Sequence, residues 1–368
     1  MTGHYLFGCE LHHLKHLLEE NREDLDPAQA HRIHECLGYA YVLKPLAALE
    51  HLIWDKRVRN TAVQKPPLFI LGHWRSGTTY LFNLLSCDPD TAFMDSMTTF
   101  TFHNFLLLHK ILPHFYGKKL TGDRYGDSME FLPESPQEEC YAIADCIDET
   151  FTHLITFPQS AQKYIDLNFE DTMSPTQQKR WCDAHSFLLK KISYFRKGRR
   201  ILFKSPDNTA KMGMIHDLYP DAKFIHIYRE PYKVILSTIN MFETGIGAMT
   251  FEKVPSHEMI EDTIIALYKR MYTQYFKDMS RVPQGQLIEI AYSDLVRAPI
   301  ETLEQIYTTL DLPNFENAKP LMLAHIESQK SYKTNKFELS NELRRKINRE
   351  LGFFFEHYNI PMRTSEGD

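Results

Sequence analysis

No stretch of the chain approaches the roughly 18 uninterrupted apolar residues that a membrane-spanning helix needs. The apolar runs are short: Phe105 to Leu108 stops at His109-Lys110, and Leu351 to Phe355 at Glu356-His357. A membrane span is therefore not expected, although peripheral contact with a membrane surface through an apolar helix stays open. The segment from Met1 to Glu10 lacks the charged-then-apolar pattern and small-residue cleavage site of a signal peptide, so the expected location is cytoplasmic. A surplus of basic residues is also missing. With 42 Lys+Arg against 48 Asp+Glu the net charge is −6, which argues against a nucleic-acid partner, since such binding needs cations to displace counterions from phosphates. The six cysteines have no CxxC spacing, so they read as reduced, mostly buried thiols rather than as a zinc site or a disulfide framework. Histidines gather at His12, His13, His16, His31 and His34 without HExxH spacing, and no metal is expected. What is there is apolar enough, at 43% hydrophobic, to exclude disorder, and 368 residues suit one large domain or two small ones.

Residues 10 to about 59 repeat apolar positions every three or four residues, as in Leu14, Leu17, Leu18 and again Leu43, Leu46, Leu49, Ile53, which predicts a helical N-terminal extension over 1–62. The character changes at Lys65-Pro-Pro-Leu-Phe-Ile-Leu-Gly72. Two prolines followed by a short apolar run and a glycine predict a buried parallel strand. Arg200 to Lys204, Lys223 to Tyr228 and Gln286 to Tyr292 have the same character, with helical patterns such as Thr209 to Leu218 and Tyr232 to Met241 between them. Strand–helix alternation predicts an α/β fold over 63–368, with a central parallel sheet flanked by helices. The stretch 91–199, rich in Phe, Tyr, His and Leu and broken by prolines, predicts a helix-rich cap over the sheet's C-terminal edge, where ligands of such sheets sit.

The sharpest motif follows the first strand: Gly72-His-Trp-Arg-Ser-Gly77-Thr78-Thr79, after which Leu81, Leu84 and Leu85 resume helical spacing. Strand, glycine loop and helix start make a phosphate cradle, in which backbone N–H groups converge on an anion and Gly77 lets the chain come close. A nucleoside-triphosphate loop would carry Lys at Thr78 to reach the terminal phosphates. Here the cation is Arg75, three residues earlier, so the loop is read as P-loop-like and built for phosphate but not for the β/γ-phosphates and metal of ATP. A second motif closes the third strand. Arg229 stands at its C-terminus, Pro231 favours a helix start, and Ser237 falls two turns into that helix, so the guanidinium and hydroxyl can share one ligand.

Together these motifs resemble the 5′-phosphosulfate loop and the 3′-phosphate motif of sulfotransferases that use 3′-phosphoadenosine-5′-phosphosulfate (PAPS). The resemblance is to a bacterial-type group related to protein-tyrosine sulfotransferases, in which Arg replaces the Lys of Pro-Lys-Ser-Gly-Thr-Thr. Lys204-Ser205-Pro206 is similar to the Lys-x-Pro element of these enzymes, Leu218 to Pro231 to their approach to the 3′-phosphate Arg, and Tyr292 to Pro299 to a further family element; the likeness spans roughly 65–340. It implies that Ser76, Gly77, Thr78 and Thr79 hold the 5′-phosphate with Arg75. Arg229 and Ser237 would distinguish the 3′-phosphate, Lys204 and Arg75 would neutralise the leaving group, and no metal is required. Lys330, Lys333 and Lys336 would form a basic arm over the nucleotide. A general base is harder to place. Glu138, in Ser135-Pro-Gln-Glu-Glu-Cys140, is the first candidate, with Glu139, Asp95 and His103 behind it. Phe100, Phe102, Phe105, Phe115, Tyr116 and Phe131 hint at a hydrophobic, lipid-like acceptor or simply at the cap's own core. The competing readings are an ATP-dependent small-molecule kinase on the same fold and a catalytically silent nucleotide-binding protein. Lys190-Lys191 and the run Arg196 to Arg200 are expected to be solvated.

Overall fold

The computed structural model describes residues 4–109, 122–123, 130–131, 133–329 and 338–364. Pro66 and Pro67 each push the residue before them into extended backbone as the chain enters Leu68-Phe-Ile-Leu71, and four consecutive apolar side chains offer no face to water, so the segment becomes an interior strand. All four residues of this strand, β1 (Leu68–Leu71), are buried. It pairs in parallel with β5 (Arg200–Lys204), Leu68 opposite Leu202, and with β6 (Lys223–Tyr228), Leu68 opposite Lys223. β2 (Thr91–Ala92) beside β5 and β7 (Leu287–Ala291) beside β6 complete a five-stranded parallel sheet in the order β2-β5-β1-β6-β7. The four expected strands are all there. The fifth, β2, has two residues, too few for any hydrophobic period to announce it. β3 (Gly122–Asp123) and β4 (Glu130–Phe131) form a separate antiparallel pair.

Successive strand residues face opposite sides of the sheet, and each side has its own core. Phe69, Leu71, Phe203 and Phe224 pack with Leu188 of helix Pro175–Phe195, Ile235 of helix Pro231–Met249, Tyr272 of helix His257–Met279 and Phe354 of helix Asn341–His357. On the other side Leu68, Ile70, Leu202, Ile225 and Ile288 pack with Leu81 of helix Thr78–Leu85, Ile306 of helix Pro299–Thr309 and Met322 of helix Phe315–Ser328. Each such side chain contributes roughly 1.5–3 kcal/mol by leaving water. The strand ends are thereby held rigidly, and they carry the site.

The N-terminal extension is helical, as Leu11–Glu20 and Ala30–Arg59. It is packed into the body of the protein: Tyr5, Leu6, Leu14 and Leu17 belong to the same core as Phe69 and Phe224. Lys191, expected in solvent with Lys190, is a correction. Neighbouring helix residues point about 100° apart, and Lys191 faces inward, its ammonium 2.6 Å from Glu50 of helix Ala30–Arg59 and 4.6 Å from the centre of the Phe102 ring. Arg196, also expected in solvent, is mostly covered and ion-pairs with Asp95. No helix among the described residues is long and apolar enough to cross a membrane.

Candidate active site

Because all five strands run the same way, their C-terminal ends share one edge. There the chain leaves β1 through Gly72, β5 on Lys204, β6 toward Arg229 and β7 on Tyr292. The loop after β1 needs its glycines: Gly72 has φ +145° and Gly77 φ +106°. A Cβ on Gly77 would stand 2.2 Å from the Tyr292 ring, and one on Gly72 2.6 Å from the Ile227 carbonyl oxygen. Arg75 takes a left-handed φ of +66° between them. The loop is tied from below, the Gly72 N–H donating to Thr209 Oγ1 (2.7 Å) and the His73 N–H to Tyr272 Oη (3.4 Å). Ser76 Oγ donates back to the His73 carbonyl (2.8 Å) and closes the turn. Burial holds the His73 imidazole down at about 4, so at neutral pH this ring adds no charge to the loop. Gly77 supplies no side-chain cap to helix Thr78–Leu85, and the N–H groups of its first turn stay available to an external anion.

Three cations converge on this edge. Arg75 Nε donates to Ser237 Oγ (2.9 Å), and Arg229 Nη1 donates to the Arg75 carbonyl (3.3 Å), with its guanidinium 4.3 Å from the Tyr292 ring centre. Arg75, Arg229 and Ser237, far apart in sequence, are thus in one network. Lys204 is buried; its ammonium donates to Thr79 Oγ1 (3.3 Å) and ion-pairs with Glu138. Tyr292 opens the family-like stretch to Pro299, but no role of its own is read from the sequence. Its signal was its place at the end of a strand, where it both packs against Gly77 and stacks on Arg229.

The four base candidates end in different surroundings. Residues 133–137 are stitched to 94–97, with the Gln137 N–H donating to the Met94 carbonyl (2.8 Å) and Asp95 bridged to Pro136. This delivers Glu138 and Glu139 to the end of β5. Glu138 meets the Lys204 ammonium, whereas Glu139 accepts from the Lys204 backbone N–H (3.1 Å) and from the Asn208 amide. Burial pushes the Glu139 carboxyl up to about 7, against the lowering pull of the Asn208 hydrogen bond. Asp95 caps helix Ser96–Phe100 through the Thr98 N–H (2.8 Å) and pairs with Arg196 at 2.7 Å. His103 lies with the N-terminal segment, Nδ1 at 3.9 Å from Glu10 Oε1 and Nε2 at 3.6 Å from Cys146 Sγ. Phe100, Phe102 and Phe105 are buried in the core that the cap shares with one side of the sheet and the N-terminal segment. Lys330, Lys333, Lys336, Phe115, Tyr116 and the side chain of Phe131 lie outside the described residues.

This edge can bind an anionic group by backbone N–H donors and by three fixed cations, with a carboxylate beside one of them. Residues 66–317 match the model of the Sulfotransferase family. The chain belongs to that family. It is a sulfotransferase with the P-loop-like α/β fold. Over 364 residues it is 26% identical to the omega-hydroxy-beta-dihydromenaquinone-9 sulfotransferase Stf3 of Mycobacterium bovis, covering 98% of this chain and 92% of the relative. The Mycobacterium tuberculosis Stf3 matches equally. Among solved structures, sulfotransferase STF1 of Mycobacterium tuberculosis superimposes with a TM-score of 0.68 at 17% identity, covering 94% of each chain. STF9 of Mycobacterium avium gives 0.70 at 14% identity, covering 94% of this chain and 88% of its own. At those identities the likeness concerns the fold. Membership in the family displaces the kinase and silent-scaffold readings.

Proposed function

We propose that this sulfotransferase moves a sulfuryl group from PAPS to a hydroxyl of a hydrophobic, lipid-like acceptor, with an amine as the lesser alternative. The observation that carries the reading is the seat of Lys204, whose ammonium touches both Thr79 of the loop and the carboxylate of Glu138. One cation thus joins the phosphate cradle to a base. The residues fit the donor. Two glycines leave the loop no Cβ where backbone must come close, the first helical turn is uncapped, and Arg75 and Arg229 supply fixed positive charge. In this reading Ser76, Gly77, Thr78 and Thr79 with Arg75 hold the 5′-phosphosulfate. Arg229 and Ser237 take the 3′-phosphate, and Lys333 belongs to an arm over the nucleotide.

Glu138 takes the acceptor's hydroxyl proton as its oxygen bonds to sulfur. The bond from sulfur to the phosphate oxygen breaks in line, 3′-phosphoadenosine-5′-phosphate departs, and Lys204 and Arg75 meet the charge left on that oxygen. Glu139 holds the Lys204 backbone and Asn208, and His103 stands elsewhere, which is why Glu138 is chosen over both. The acceptor class rests on the relative named for a hydroxylated dihydromenaquinone, since Phe100, Phe102 and Phe105 of the cap serve the protein's core. Radiolabelled PAPS offered with a panel of prenylated quinols, long-chain alcohols and phenols tests the proposal. Label is expected on a prenylated or long-chain hydroxyl. Labelling only of small polar acceptors would overturn the acceptor class, and tight ATP binding without PAPS binding would overturn the donor.

A further inference from the structure

Outside the sheet edge, three side chains from three separate elements converge on one point. Glu10 precedes helix Leu11–Glu20, His51 lies on helix Ala30–Arg59, and His103 follows helix Ser96–Phe100 in the cap. A carboxylate oxygen and one nitrogen of each ring all lie within 4.8 Å of one another. His51 Nε2 is 3.3 Å and His103 Nδ1 3.9 Å from the same Glu10 Oε1. We propose that Glu10, His51 and His103 form a binding site for a divalent transition-metal ion of the zinc and cobalt class, clasping the N-terminal segment and the long helix to the cap.

Three features point to coordination rather than to hydrogen bonding alone. First, the second nitrogen of each ring is engaged elsewhere. His51 Nδ1 lies 3.0 Å from Asp55 Oδ1, an acceptor, and His103 Nε2 faces Cys146 Sγ at 3.6 Å. A carboxylate behind a ligand imidazole fixes the ring and its tautomer, and leaves the far nitrogen as a lone pair. Secondly, the nitrogens that face Glu10 are buried atoms: His51 Nε2 meets it at 3.3 Å, and His103 Nδ1, on a side chain only 6% exposed, makes no hydrogen bond. Two ring nitrogens aimed toward one carboxylate suit a cation between them. Thirdly, the spacing fits. With metal–ligand bonds near 2.0–2.2 Å, two ligands of a tetrahedral ion stand roughly 3.3–3.5 Å apart. The 3.3 Å contact already meets this value, the 3.9 Å one needs a shift of roughly half an ångström, and the two ring nitrogens, within 4.8 Å of each other, must draw together as the ion binds.

Two histidines and one carboxylate are a recurring donor set for such ions, with the remaining positions left to water or another ligand. Here a cavity of about 390 Å³ adjoins the cluster, lined in part by Gly8, Lys15, Leu43, Lys44 and Ala47, and gives room for that ligand and for entry. Lys15 is drawn aside over the Tyr41 ring, 5.3 Å from its centre. By contrast, in the other histidine–carboxylate group, His13, Asp148 and His153, the His153 Nδ1 is already taken by the Tyr5 hydroxyl at 3.2 Å and Asp148 by His16 Nε2 at 3.1 Å.

The test is direct metal binding to the full chain after chelator treatment. Calorimetry with Zn²⁺ and visible absorption with Co²⁺ are expected to show one equivalent bound in tetrahedral or five-coordinate geometry, with a rise in melting temperature on zinc addition. His51→Ala and Glu10→Gln, both at partly exposed positions, are expected to weaken binding by about 10- to 100-fold or more. They should also abolish the zinc-dependent rise, while the metal-free melting temperature stays near that of the wild type. His16→Ala, which removes the ring bonded to Asp148 of the other group, is expected to bind as the wild type does. Failure of the unmutated protein to bind either ion at millimolar concentration overturns the site, as does undiminished binding by the His51 and Glu10 variants. Binding lost instead in His16→Ala would move the metal to the His13 cluster and overturn this assignment equally.

Discussion

The loop Gly72–Gly77 and the pair Glu138–Glu139 meet at Lys204, but they reach it by different means. The loop is shaped by its own backbone, with two glycines and Arg75 at positive φ within six residues. The glutamates are placed by other parts of the chain: Met94 and Asp95 hold the segment ahead of them, and Asn208 fixes Glu139. A function built into local conformation leaves a mark in local sequence. One assembled from distant pieces leaves only residue types that could serve many ends.

The sharpest division within this comparison is between the two adjacent glutamates. Glu138→Gln is expected to lower kcat by about 10²- to 10⁴-fold, the usual worth of a positioned base. Binding of 3′-phosphoadenosine-5′-phosphate should survive, so steady-state kinetics with an independent binding measurement checks both halves. Glu139→Gln is expected to act through stability. The folded carboxyl, lifted to about 7 by burial, holds its proton where an unfolded chain would already have released it. Its contribution is therefore fully present below the ordinary carboxylate range and lost as pH rises toward 7. Denaturant midpoints should fall over that window in the wild type more steeply than in Glu139→Gln. Equal slopes would remove Glu139's buried role.

On the other side of the comparison, Gly77→Ala tests whether backbone shape alone carries the loop. The added Cβ meets the Tyr292 ring at 2.2 Å and φ is +106°, so a displacement near 1 Å is forced, costing about 10²-fold in turnover. Near-normal kinetics in this variant would show that the cradle tolerates reshaping. The smallest effect on catalysis is expected from the buried Lys191–Glu50 pair. Glu50→Gln strands the ammonium and should destabilise by about 3–5 kcal/mol, whereas Glu50→Leu with Lys191→Met should come close to wild-type stability. Turnover should be little changed in both, read by denaturation and by initial rates.

The parallel sheet was legible because its interior strands are short, mostly apolar runs between turn signals, and the loop after β1 because glycine is the residue its geometry tolerates. Arg229 with Ser237 was legible as a strand end feeding a helix. Tyr292 carried no such mark, since a tyrosine after a strand is equally at home in a core. His103 could not be placed, because its partners Glu10, His51 and Cys146 are dozens of residues away along the chain and only packing unites them. Lys191 failed for a simpler reason: a basic run on a helix has an inner side as well as an outer one.

In the proposed mechanism, with Glu138 as base and PAPS as donor, the ion pair between Lys204 and Glu138 sets an order of events. Before the donor arrives the carboxylate is held by its ammonium, and an acceptor alcohol entering first finds a base that is already engaged. A donor phosphate seated in the loop gives the same ammonium a rival anion and loosens its hold on Glu138. In that mechanism Glu138 is freed for the acceptor only after the group to be transferred is in place, a compulsory sequence with donor first, which protects the activated sulfate from an idle encounter.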